Sequence, residues 1–148
     1  VELLEETVKK IPNYAPSFDW LGMAYLQLKQ FDKSIEVYRR AVELSDGLAE
    51  IKAGLGHAYG MAGRKDEARK VLNELNTLAE KYYIPPVQIA YVAASLDELD
   101  ETFELLEKAF KERTWDLVFI REEPWFDDFH SHPRFVDLLK RIQFPGKE

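Results

Sequence analysis

Leu21–Tyr25, "LGMAY", returns further along the chain as Leu55–Tyr59, "LGHAY", with one position changed. A recurrence at fixed period marks a chain built from stacked supersecondary units, so every other residue has to be read in that phase. The same offset carries Ala15 onto Ala49, Val37 onto Val71 and Tyr38 onto Leu72. One further step takes "KDEA" (Lys65–Ala68) onto "LDET" (Leu99–Thr102) and Leu72 onto Leu106. Most core matches hold, while a position such as Arg69, opposite Ile35, drifts as surface positions do.

Each unit reads as two helices and a turn. Trp20, Leu21, Ala24, Tyr25 and Leu28 follow helical spacing, "KQFD" turns the chain, and Ile35, Tyr38, Ala41 and Val42 continue in a second helix. In the second unit Gly63 is expected to end the first helix in the left-handed conformation that glycine tolerates. Asp66 and Glu67 suit the positive start of the helix after it. In the third unit Pro85 or Pro86 opens a helix, "SLDELD" turns, and Phe103–Phe110 supplies the second helix. Gly22 and Gly56 fall inside helices, where glycine costs about 1 kcal/mol relative to alanine. Their recurrence at one phase predicts another helix passing close at that point, with Tyr25 and Tyr59 filling the space between hairpins.

This pattern resembles the tetratricopeptide repeat, a helix–turn–helix unit with the same period. The residues that carry the resemblance are Leu21, Gly22, Tyr25, Ser34, Tyr38 and Ala41, then Leu55, Gly56, Tyr59 and Ala68. A third unit keeps Phe103, Leu106 and Ala109 but has Ala90 and Ala93 at the glycine and tyrosine positions. The resemblance implies an all-α, right-handed superhelix with repeats at 15–48, 49–82 and 83–116. Residues 1–14 are expected to form the second half of a preceding repeat, and 117–148 a C-terminal cap of short helices. Because the chain starts at Val1 rather than methionine, it is expected to be a piece of a longer protein.

Such domains are binding scaffolds whose first helices line a concave groove. Carried over, the resemblance implies groove positions at Asp19, Met23, Leu26 and Gln27. It adds Glu50, Ala53, His57, Gly60 and Met61 from the second repeat, and Val87, Tyr91, Ala94 and Ser95 from the third. Methionine adapts to irregular partners, although Met23 and Met61 could equally pack against a neighbouring helix. Asp19 and Glu50 would repel an acidic peptide tail, and no Lys–Asn–Arg clamp for one is complete, so a hydrophobic or basic amphipathic segment fits better. His57 stands alone, with no Ser or Asp at helical spacing to build a triad. "GLGHAYG" at Gly54–Gly60 lacks the preceding strand of a phosphate loop.

Composition narrows the classes further. With 20 basic against 27 acidic residues the net charge is −7, which disfavours nucleic acid. Cysteine is absent, which excludes thiolate chemistry and suits a reducing cytoplasm. No apolar run reaches the ~20 residues that span a bilayer. No cofactor is implied. The expected partner is a protein or peptide, with self-association through a solenoid end as an alternative.

The tail "EEPWFDDFHSHPRF" (Glu122–Phe135) poses the sharpest question. Asp127, Asp128, His130 and His132 could be metal ligands, and hence the core of a hydrolase. Against that, Ser131 or His132 precedes Pro133 as a helix cap would, and Trp125, Phe126, Phe129 and Phe135 would seal a stack. Phe135, Leu138, Leu139 and Ile142 form one apolar helical face, with Gln143–Glu148 closing the chain. The frame of Pro124–Asp127 and Pro133–Phe135 also resembles the C-terminal end of prokaryotic tetratricopeptide proteins attached to regulator, cyclase or kinase modules. His130 and His132 depart from it.

Overall fold

The computed structural model describes residues 1–142, so the closing stretch expected at Gln143–Glu148 lies outside the described residues. Helices alone make up its regular structure. They are α1 (Glu2–Lys10), α2 (Ala15–Gln27), α3 (Phe31–Leu44), α4 (Ala49–Met61), α5 (Lys65–Ala79), α6 (Pro86–Ser95), α7 (Leu99–Glu112) and α8 (Pro133–Arg141). Two 3-10 helices, Trp115–Phe119 and Pro124–Phe129, lie between α7 and α8. Consecutive helices pack in pairs, and α4 also packs on α6, giving an all-α array consistent with tetratricopeptide-type repeats.

The period is written into the turns. Lys29, Gly63 and Asp97, each one repeat from the next, all adopt left-handed backbone, with φ of 57°, 74° and 60°. The next residue's amide then reaches back over the turn: Gln30 donates to the Tyr25 carbonyl (2.9 Å), Arg64 to Tyr59 (2.9 Å) and Glu98 to Ala93 (3.1 Å). That is the helix-ending motif that satisfies otherwise orphaned carbonyls. Residues 30, 64 and 98 also begin the next helix, accepting from the amides of Ser34, Ala68 and Thr102. One short turn therefore closes one helix and opens its partner.

The helical glycines are points of close approach, though not all in one phase. A methyl group on Gly22 would sit 2.8 Å from the Tyr38 ring, and one on Gly54 would sit 2.5 Å from its other edge. Tyr38 is thus clamped between two helices and is almost fully buried. Tyr25 and Tyr59 bridge neighbouring hairpins as expected, Tyr25 donating to Glu5 of α1 and Tyr59 accepting from Arg39 Nε at 2.9 Å. Glu5 and Arg39 are themselves one repeat apart.

The end of the array keeps the period but not the helix. Arg134 pairs with Asp100 and Arg141 with Glu107, so α8 lies beside α7 at the repeat offset. Pro124 falls in phase with Gly22, Gly56 and Ala90, at the middle of where a fourth first helix would run. Proline there removes an amide donor and crowds the carbonyl four residues back, and the segment forms two short 3-10 turns instead. Phe126, Phe129, Phe135 and Leu138 pack with Phe103 and Leu106 in one buried cluster that closes the stack. Trp125 does not join them.

Candidate functional site

Met23, His57, Tyr91 and Trp125 form one column, each a single repeat from the next. The last of them turns inward. The Trp125 ring stands edge-on to His57, centroids 4.3 Å apart and planes at 80°, and lies 5.7 Å from Tyr91. In a regular stack a fourth unit touches only the third; here its indole reaches the second. His57 is almost fully buried and its Nδ1 lies 2.8 Å from the Tyr91 carbonyl oxygen, which can only accept, so Nδ1–H donates. Burial holds the imidazole down at about 4, with the Tyr91 carbonyl acting against it.

Trp125 lines two hollows. One, of about 250 Å³, is lined by Leu26, Gln27, Lys29, His57, Met61, Asp127 and Asp128. The other is a cleft of about 150 Å³ among α2, α4, α6 and the two 3-10 segments. Asp19, Glu50, Asp116 and Glu123 line it, with Met23, Tyr38, Tyr91, Trp115 and Phe119 as apolar walls. Burial, and secondarily Glu50, push the Asp19 carboxyl up to about 6. Burial raises Tyr38 and Tyr91 above the usual tyrosine range; Asp19 and Glu50 add to it at Tyr38, and Glu123, Asp116 and Glu50 at Tyr91. Glu123 is raised by burial, against a hydrogen bond from the Trp125 side chain. Asp116 is only 8% exposed, and neither of its carboxylate oxygens has a hydrogen-bond partner among the described residues.

Several groove positions expected from sequence are not on an open surface. Met23, Gln27, Glu50 and Met61 are exposed, and Asp19, Tyr91 and Ser95 are half-buried. Leu26, Ala53, His57, Gly60, Val87 and Ala94 are buried. The expected groove positions that stay accessible lie around two hollows that share the Trp125 indole as a wall. The physical reason is twofold: α4 and α6 approach closely, Ser95 meeting Gly60, and the C-terminal segment folds over His57 and Tyr91. Trp115, Asp116, Phe119 and Glu123 were not expected at the site. Extending the repeat offset one step past Tyr91 would have found Trp125.

The four tail residues considered as metal ligands are spread apart in role. His132 caps α8, its Nδ1 accepting from the Arg134 amide at 3.3 Å, and its ring lies 4.7 Å from Phe103. His130 stacks on Phe135 at 5.5 Å. Asp127 and Asp128 are exposed at the rim of the larger hollow. Among the described residues, no three histidine or acidic side chains gather in a way that could hold a metal ion.

Fold and site together define a helical-hairpin array whose C-terminal segment sets Trp125 against His57 between two hollows. A family model for the tetratricopeptide repeat matches residues 15–47, the span of α2 and α3, and these residues form such a repeat. Comparison with curated proteins gives no match. No helix among the described residues is long and apolar enough to cross a membrane.

Proposed function

We propose that this is a non-catalytic protein-interaction module that takes a peptide or helix of a partner on the open part of its concave face. The tetratricopeptide repeat at 15–47 supports a protein partner in general. One observation carries the finer reading: Met23 and Met61 remain exposed, one at each hollow, while Asp19 and Glu50 give the face a negative charge. That combination favours a basic amphipathic segment over an acidic one. The resemblance of the Pro124–Phe135 frame supports a setting within a larger regulatory protein, and the absence of cysteine suits a reducing cytoplasm.

The test is selection of peptide ligands from a random display library on the intact chain, followed by titration. Basic amphipathic sequences should be enriched, and Met23→Glu or Met61→Glu should weaken their binding about tenfold. Arg40→Glu, on an exposed position of α3, should not weaken it. Enrichment of acidic peptides, or binding indifferent to both methionines, would sink the reading.

A further inference from the structure

We propose that the cleft beside Trp125 is a socket for one cationic side chain, a lysine or arginine of the protein partner. This rests on the groove reading above, but it assigns a site that the repeats alone do not build. Two of its four acids, Asp116 and Glu123, come from the C-terminal segment and two, Asp19 and Glu50, from the repeats. None of the described residues lining the cleft is basic.

Acidic side chains on a surface are ordinarily just solvated, and four of them would mean little alone. Asp116 makes the difference. It is held 8% exposed in the wall of the cleft, with both carboxylate oxygens lacking a donor. A buried carboxylate without a partner is costly, and an opposite charge placed beside it offsets that cost. The volume of about 150 Å³ suits an ammonium or guanidinium head with part of its stem. Trp115 and Trp125 also line the cleft, and indole is the best of the aromatic side chains for a cation. The three other hollows lack this character, since each has basic residues in its lining. The one over His57 has Lys29, the one at the turn before α3 has Lys29 and Lys33, and the one along α5 has Lys52, already paired with Glu74 at 3.1 Å.

The experiment has two arms. In the first, the indole resonances of Trp115 and Trp125 are followed while butylammonium, ethylguanidinium or neutral butanol is added. Both cations should shift both resonances and butanol should not. In the second, each basic residue of a peptide selected as above is replaced in turn by norleucine. One position should cost at least tenfold in affinity. Against the unmodified peptide, Asp116→Asn and Glu123→Gln should each weaken binding several-fold, while Glu104→Gln, exposed on α7, should leave it unchanged. Thermal melting checks that the variants fold, and Glu123→Gln serves if Asp116→Asn does not. Cation shifts without any peptide ligand would uphold the socket and refute the groove reading. Peptides that bind with no sensitivity to norleucine, Asp116 or Glu123 would overturn the socket and leave the groove reading standing. Equal shifts from butanol, or none from either cation, would also overturn it.

Discussion

Lys29 and Asp97 occupy a backbone region that costs an ordinary L-residue roughly 1–2 kcal/mol, while Gly63 occupies the same turn without that penalty. The turn geometry is imposed by the hydrogen bonds over it, so the side chain accepts the strain. Lys29→Gly and Asp97→Gly should each raise stability by about 0.5–1 kcal/mol in urea unfolding. The Lys65–Asp97 pair lost in the second is highly exposed and worth little. Gly63→Ala should lower stability by about 1 kcal/mol, through conformation alone, since nothing lies within 4 Å of the added methyl. Lower stability in both glycine variants would mean that the lysine and aspartate side chains contribute more than their backbone strain costs.

At the scale of elements, α4 is the most constrained helix, because it packs on α5 and also directly on α6. Gly56 and Gly60 make that approach possible. A methyl on Gly60 would meet Ser95 Oγ, Ser95 Cβ at 2.5 Å and the Ser95 carbonyl oxygen at 2.9 Å. The hydroxyl can rotate away; the carbonyl belongs to the last turn of α6 and cannot. Gly60→Ala should therefore destabilise the array by about 1–3 kcal/mol in thermal or urea unfolding, despite the better helix propensity of alanine. An unchanged melting temperature would show that α4 and α6 slide apart at little cost. The last unit differs because Pro124 stands where the other units have glycine or alanine, and the chain coils inward as 3-10 turns. Trp125, in the second of those turns, meets His57.

In the whole molecule, the C-terminal segment and the second repeat form one electrostatic unit. His57 is held neutral, near 4 rather than the ordinary 6.5, by burial that Trp125 helps to supply. A histidine with a depressed folded-state value contributes stability that is full above about pH 6.5 and is lost as pH falls towards 4, by about 3 kcal/mol in all. Asp19, raised to about 6, runs the other way: its contribution is full below about pH 3.8 and is lost as pH rises through 6. Glu50 and Tyr38 face Asp19 from α4 and α3, and Asp116 and Glu123 share its cleft. The two trends offset each other between about pH 4 and 6 in the intact protein. The difference in stability between wild type and His57→Gln should isolate the histidine's acid-side loss. In Trp125→Ala the His57 imidazole should titrate closer to its ordinary value by NMR, with about 2 kcal/mol of stability lost at neutral pH. An unmoved titration would show that the indole does not seal His57.

The amino-acid sequence by itself determined the repeating unit. Apolar spacing, the recurring "LGxAY" stretch and Gly63 specify local helices and turns, and local interactions suffice to form them. The capping role of His132 and the aromatic seal of Phe126, Phe129 and Phe135 were legible for the same reason. What lay open on the concave face was not. Whether Leu26, Ala53, His57 and Val87 meet solvent depends on the distance between α4 and α6 and on where Trp125, two repeats on from His57, comes to rest. Only the tertiary structure decided that, because the burial of one residue is set by chain remote from it. The pairing of Asp116 and Glu123 with Asp19 and Glu50 arises from that same fold-back, and no spacing along the chain encodes it.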